Sequence, residues 1–374
     1  MTKPFYVVEF ARFPPIYFLL DPEFTIIAGA DFTFVLSRSY EMRSGVVGVG
    51  FMSWIHYLAY QRSQCAEMTA FCSRDPKKRS GDWTGIQGNF GPPGEQIEMT
   101  GVTGFESLEE MLEDDSIDLI DICLPPSLHP EAIRSSLKAG KHVLCEKPLA
   151  LDAETAQALA DEAEPGQLMV AHILPLMPEF KILVDAKNDQ RWGQPVSGRF
   201  KRTIGPPDWI PDFYNRDSVG GPLIDLHVHD AHLIRLLFGM PTEAHTVSRK
   251  KEGEPMFYES IFEFEDSELA VSAGGGVITS PARPFTHGYE VSFEQATVQF
   301  EFAGYADGSS SCIPVTILHA DGTIEKPDLG DGDPVSAFLQ EVDEVARCIR
   351  DGVVSPILDA GLAVDALRIC EMQM

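Results

Sequence analysis

Basic residues are scarce in this chain: 29 lysines and arginines stand against 57 aspartates and glutamates, for a formal net charge of -28. A surface of that sign repels phosphate backbones and anionic lipid, so neither nucleic acid nor a membrane surface is an expected partner. No run of about 18 uncharged apolar residues occurs, so no transmembrane helix is expected. Seven cysteines are scattered through 374 residues without one CxxC pair, which excludes a disulfide framework. Cys65, Cys72, Cys123, Cys145, Cys312, Cys348 and Cys370 lie mostly in apolar runs, where a reduced cysteine behaves as a small buried hydrophobe. That usage points to a reducing, cytoplasmic location. Internal repeats and low-complexity segments are also lacking.

What remains is the composition of a globular protein, 44% hydrophobic and 23% charged, on a chain too long for one ordinary core. The expected organisation is an extension over 1–41, a first domain over 42–165, a second domain over 166–334, and C-terminal helices over 335–374 that pack back on the first domain. The extension is peculiar. Pro14 to Leu36 is apolar and aromatic but broken by Asp21, Glu23 and Asp31, and it lacks the basic start and small-residue cleavage site of a signal peptide. Two readings stand: an arm packed on the second domain, or translation from Met42 with the extension outside the protein.

From Arg43 the pattern becomes regular. Gly45-Val46-Val47-Gly48-Val49-Gly50-Phe51-Met52-Ser53 reads as a buried strand turning sharply into a helix that begins near Met52. Gly48 supplies the tight turn and Gly50 lets a pyrophosphate approach the helix N-terminus, while Ser53 stands where a third glycine is usual. A second strand, Glu67 to Cys72, ends at Ser73-Arg74-Asp75-Pro76-Lys77-Lys78. An acidic residue for the ribose 2′-hydroxyl is common at that strand end; a serine followed by an arginine suits a 2′-phosphate instead, favouring NADP over NAD. Asp75 taking the ribose, or Arg74 stacking on adenine, are the alternatives. Gly85 to Gly104 reads as an excursion loop, and Ser107 with Glu110 as the capped start of a short helix. Ile117 to Leu124 is a strand ending at Pro125-Pro126-Ser127, His129 to Ala139 a helix, and His142 to Cys145 a strand running into Glu146-Lys147-Pro148. Alternation at this spacing means a doubly wound parallel sheet whose ligands bind at the carboxyl ends of the strands.

Three segments carry a family resemblance: VVGVGF at Val46, CEKPLA at Cys145 and GGPLIDLHVHDAHLIRLLFG at Gly220. The chain from Arg43 onward resembles the Gfo/Idh/MocA (glucose–fructose oxidoreductase/inositol dehydrogenase) oxidoreductases. The resemblance implies a dinucleotide-binding Rossmann domain over 42–165 and a substrate and oligomerisation α+β domain over 166–334, with NADP or NAD as cofactor and Lys147, Asp225 and His229 as catalytic residues. It also implies a cofactor crevice formed by Gly48, Gly50, Phe51, Met52, Ser73, Arg74, Pro125, His129, Glu146 and Lys147. Oxidising a secondary alcohol needs a base for the hydroxyl proton, a task within reach of histidine near neutrality. Asp225 and His229 are one helical turn apart, so the carboxylate can orient the ring or bind a neighbouring substrate hydroxyl. Lys147 adds positive charge that favours a developing alkoxide.

Two departures from the family pattern bear on substrate. His227 and His232 replace the glycine and the last aspartate of Asp-x-Gly-x-His-x-x-Asp, and Ala171-His172-Ile173 replaces an Asn-x-Arg-Phe-like segment. His172 therefore either lines a differently shaped substrate pocket or merely packs. His227 and His229 face different sides of a helix, so no metal site is expected.

Beyond Leu168–Ile173 and a helix over Pro178–Lys187, alternating strands are expected at Val196–Thr203, Glu243–Arg249, Met256–Glu263, Leu269–Gly275, Tyr289–Gly304 and Cys312–His319. They form an open, mostly antiparallel sheet covered by helices on one face. Val335–Asp351 and Ala360–Met374 are the closing helices. In the family this sheet serves oligomerisation, implying a homodimer or homotetramer. The leading function is hydride transfer on a sugar, inositol or related polyol. An NAD-retaining glycoside hydrolase acting by transient oxidation, and a nucleotide-responsive protein without catalysis, are the alternatives.

Overall fold

The computed structural model describes residues 41–207, 213–251, 253–265, 268–330 and 332–374. Earlier in the chain it describes only the strand backbones of β1 (Tyr6–Val8), β2 (Ile16–Phe18), β3 (Phe24–Ala28) and β4 (Phe34–Arg38), paired β1–β2 and β3–β4. Both readings of the extension lie outside the described residues.

The apolar strands β5 (Met42–Val47), β6 (Ala66–Cys72), β7 (Thr103–Phe105), β8 (Leu119–Ile122), β9 (His142–Glu146) and β10 (Leu168–Ala171) form one parallel sheet in the order β10-β9-β8-β5-β6-β7. Being covered on both faces, they are apolar nearly throughout, as buried parallel strands must be. Alternate residues serve opposite faces. Val47, Ile120, Ile122, Val143 and Val170 pack toward α4 (His129–Lys138) and α5 (Ala153–Glu162). Val46, Leu119, Leu144 and Met169 pack toward α1 (Phe51–Tyr60) and α9 (Val335–Asp351). The last strand, β10, lies beyond the boundary expected at residue 165 and pairs with β9, Ala171 opposite Glu146.

Between β6 and β8 run α2 (Pro76–Arg79), β7 and α3 (Leu108–Leu112). The segment expected as an excursion loop is bound down on α1. Trp54 Nε1 donates to Pro92 O at 2.8 Å, Phe51 meets Phe90 edge-on at 4.8 Å, and a Cβ on Gly88 would strike the Phe51 ring at 2.0 Å.

The second sheet has eight strands in the order β12-β13-β14-β11-β15-β16-β17-β18. They are β11 (Pro195–Ile204), β12 (Glu243–Lys251), β13 (Glu254–Glu263), β14 (Ala270–Val277), β15 (Phe285–Phe293), β16 (Ala296–Gly304), β17 (Ser310–His319) and β18 (Ile324–Glu325). All neighbours are antiparallel except β11 and β14. The single strand expected over Tyr289–Gly304 is a hairpin, β15 and β16, turning at Glu294 and Gln295. Continuous alternation across so short a turn conceals the reversal.

Helices α6 (Pro178–Asp189) and α7 (Arg216–Val219) lead into α8 (Gly221–Phe238), which packs on β11, β13 and β14. Helix α10 (Ala360–Glu371) packs on both α8 and α5, tying the two sheets' helical layers together. Among the described residues no helix is long and apolar enough to cross a membrane.

Candidate active site

Gly48 has φ +88°, and a Cβ there would meet Cys123 O and Leu124 Cδ2, both at 2.9 Å. Only glycine fits a turn that is both left-handed and pressed against the end of β8. At Gly50, by contrast, a Cβ would meet nothing within 4 Å, so the backbone borders open space at the N-terminus of α1. No acidic residue occupies the first turn of that helix. A cradle of this shape, with helix N–H groups and a dipole directed at it, fits a dinucleotide pyrophosphate. Ser53 holds it in form: Gly50 N donates to Ser53 Oγ at 2.7 Å and that hydroxyl donates to Gly50 O at 2.8 Å. Phe51 and Met52 follow, both half-buried.

At the end of β6, Ser73 is buried and Arg74 exposed. The Asp75 side chain caps α2 by accepting from Lys77 N at 2.9 Å. Lys78, which sequence reasoning noticed only as a nearby lysine, reaches across to the glycine turn and donates to Val49 O at 2.6 Å. Pro125 is exposed at the end of β8. His129 is not in the crevice. It is fully buried, with Nδ1 2.9 Å from Pro148 O and Nε2 2.8 Å from Leu124 O. It clamps two strand-end loops together, and a ring so enclosed offers no atom to a cofactor. Glu146 likewise lies behind the crevice, its Oε2 accepting from Lys147 N at 3.1 Å.

Lys147 follows β9 directly, and its peptide bond to Pro148 is cis. Its ammonium donates to Asp225 Oδ1 at 3.0 Å and to Asp225 O at 3.1 Å. Asp225 therefore engages Lys147 rather than the His229 ring, whose Nδ1 is buried without a hydrogen-bond partner. A lysine 78 residues away reaches the carboxylate because β9 ends against the first turns of α8. Burial first, then the Lys147 and Arg202 cations, hold the His229 imidazole well below its ordinary pKa. It is neutral near pH 7 and able to accept a proton.

Asp225, His229 and His232 recur at intervals of four and three, one face of α8. His232 stacks on His172 with centroids 4.0 Å apart and planes 6° from parallel. Both rings are buried, and His172 lies one register step past Glu146's partner Ala171. One residue from each departure from the family pattern, His232 and His172, thus forms a matched pair of flat, neutral rings. His227 faces the other way, buried against Tyr258 at 5.1 Å and Phe262 at 6.2 Å. Arg202 on β11 makes a buried bidentate pair with Asp230, both contacts 2.9 Å, which sequence reasoning missed. Nothing local joins a strand arginine to a helix aspartate 28 residues later.

A glycine turn opening on a helix N-terminus, with a strand-end lysine paired to a helix carboxylate and a neutral histidine one turn further along that helix, defines a dinucleotide-dependent oxidoreductase. Residues 42–172 match the Gfo/Idh/MocA family model, described as an oxidoreductase family with an NAD-binding Rossmann fold. A dTDP-3,4-didehydro-2,6-dideoxy-α-D-glucose 3-reductase of Actinomadura kijaniata is 30% identical over 70% of this chain and 72% of its own. The D-xylose 1-dehydrogenase (NADP⁺) 2 of Haloferax volcanii is 26% identical over 87% of this chain and 93% of its own. An inositol 2-dehydrogenase of Rhizobium meliloti is 26% identical over 87% and 94% respectively. In fold, levoglucosan dehydrogenase in complex with NADH superposes with a TM-score of 0.71 at 17% identity, covering 89% of this chain and 95% of that one. The chain belongs to the Gfo/Idh/MocA family and is an NAD(P)-dependent oxidoreductase.

Proposed function

We propose that the enzyme moves a hydride between the nicotinamide and a secondary alcohol or ketone of a sugar, inositol or related polyol, with Lys147, Asp225 and His229 acting on substrate. The observation that carries this reading is the Lys147–Asp225 pair with a neutral His229 one turn further along α8. The dinucleotide, when bound, supplies the hydride acceptor or donor. His229 takes the hydroxyl proton in the oxidative direction, and the Lys147 ammonium stabilises negative charge growing on that oxygen. Asp225 holds the ammonium in place.

Ser73 and the exposed Arg74, with Asp75 occupied in capping α2, support a preference for NADP. Ser73→Asp then shifts preference toward NAD by repelling the 2′-phosphate; tighter binding of NAD by the unaltered enzyme contradicts the reading. Exposed Val247, Ile261 and Ile313 on the second sheet support assembly of two or four copies. The free cysteines support a cytoplasmic location.

The primary test follows absorbance at the NAD(P)H band across sugars and polyols with both cofactors. A substrate must appear, and both Lys147→Ala and His229→Ala must lose its turnover. Full turnover in either variant removes that residue from the chemistry.

A further inference from the structure

Behind the catalytic lysine lies a buried charge cluster that hydride transfer does not itself require. His56 on α1 is wholly enclosed. Its Nδ1 is 2.8 Å from Asp121 Oδ2 on β8, and its Nε2 is 3.2 Å from Glu146 Oε1 and 3.9 Å from Glu341 Oε2 on α9. Tyr60 OH donates to the same Asp121 oxygen at 3.0 Å. The other Glu146 oxygen accepts the Lys147 amide N–H. Three carboxylates around one histidine in a core are costly to bury, and they persist in such places only when paired.

We propose that His56, Asp121 and Glu341 are positioning residues for the reaction, holding Lys147 in register through the Glu146 carboxylate. This rests on the reading that Lys147 acts on substrate. His56, as an imidazolium, donates to Asp121 from one side and meets Glu146 on the other. Glu146, so anchored, fixes the peptide from which the Lys147 side chain springs. Helix α9 returns from the far end of the chain to close the cluster, giving a C-terminal element a part in the site.

The charge states agree with this arrangement. Despite burial, the Asp121 carboxylate holds His56 well above its ordinary pKa. Burial pushes Glu341 up to about 8, with His56 opposing and Glu146 and Asp121 adding to the rise. Of the other groups facing the cluster, Tyr60 on α1, Cys123 after β8 and Cys145 on β9 are all raised, chiefly by burial, and stay neutral. His129 on α4 is lowered by burial and is neutral too. At pH 7 Glu341 is protonated. As pH rises through about 8 it ionises and competes with Glu146 for the Nε2 side of His56, loosening the hold on Lys147.

The test compares the full-length enzyme with His56→Gln and Glu341→Gln, using kcat against pH, substrate KM, the cofactor dissociation constant and melting temperature. His56→Gln is expected to lower kcat by about 10- to 100-fold, the scale of a small misplacement of a reacting group, with KM changed far less. In the unaltered enzyme kcat declines between pH 7 and 9; in Glu341→Gln the ratio of kcat at pH 9 to kcat at pH 7 rises at least about threefold, because the amide cannot ionise. If both variants shift only the melting temperature, leaving kcat and its pH profile as they were, the cluster is structural and the proposal fails. Should His56→Gln not fold, Glu341→Gln decides alone: persistence of the alkaline decline overturns the proposal. Lys147→Ala is run alongside. Its retention of activity refutes the catalytic reading of Lys147, whereas its loss with unaffected cluster variants refutes only the positioning role.

Discussion

Four histidines on or near one helix have three different fates, set by which side of the backbone each leaves. His229 faces the Lys147–Asp225 pair, His232 stacks on His172, and His227 is packed among aromatic rings of the second sheet. His229→Ala is expected to lower kcat by about 10²–10⁴, the usual worth of general acid–base catalysis. Because its pKa is depressed, the acid limb of kcat/KM lies below pH 6.5: activity is lost only as pH falls through the lowered value. A limb centred above 6.5 contradicts the burial of that ring. His227→Ala leaves kcat within a few-fold but opens a cavity, costing about 2–4 kcal/mol in a urea titration. Asp225→Asn releases the Lys147 ammonium, so its effect should resemble that of Lys147→Ala more than that of His229→Ala. A pH profile shifted with no loss in kcat would instead tie Asp225 to the imidazole.

At the scale of elements, the glycine turn depends on two residues for different reasons. Gly48→Ala meets both a left-handed φ and backbone at 2.9 Å, so more than about 1 kcal/mol of stability and most dinucleotide affinity should go. Ser53→Ala removes the two hydrogen bonds that square the start of α1, a loss of roughly 1 kcal/mol. Calorimetric binding of NADP with melting curves separates the two; unaltered binding in Gly48→Ala would show that the turn does not shape the crevice. The turn and β9's run into Glu146-Lys147-Pro148 were legible because a strand, a breaker and a helix follow within a dozen residues. Packing of the Gly85–Gly104 segment on α1 was not, since glycines and prolines announce a turn but not the surface it rests on.

For the whole molecule, buried neutral histidines dominate the response to acid. His172, His227, His232 and His287 are all held low by burial, His227 to about 4 and His232 to about 3. The unfolded chain protonates these rings from about pH 6.5 downward while the folded chain does not. The stability they confer is complete above pH 6.5 and is lost as pH falls toward the folded values, at up to about 1.4 kcal/mol per pH unit per ring. Glu341 opposes this, being protonated in the fold below about 8, so it gains stability as pH falls toward the unfolded carboxyl value. His56, raised in the fold, adds a contribution that is constant below 6.5. With His129 and His229 also held low, the buried rings outweigh the raised carboxyls, and the melting temperature should fall between pH 7 and pH 5. A flat or rising value would mean these rings are charged in the fold.

By itself the sequence determined the elements that carry the site: the Val46 strand, the Gly48 turn, Lys147 after a strand, and Asp225 with His229 on one helix. Each is a local matter of periodicity, backbone freedom or spacing, written within a few residues. Only tertiary structure decided which groups meet. Asp225 pairs with Lys147 instead of His229, His129 clamps two loops behind the crevice, and Arg202 finds Asp230 from another strand. His56 gathers Asp121, Glu146 and Glu341 from two strands and a helix nearly 300 residues away. Such pairings arise when distant elements pack and exclude water, so that a buried charge must take the partner the packing brings within reach.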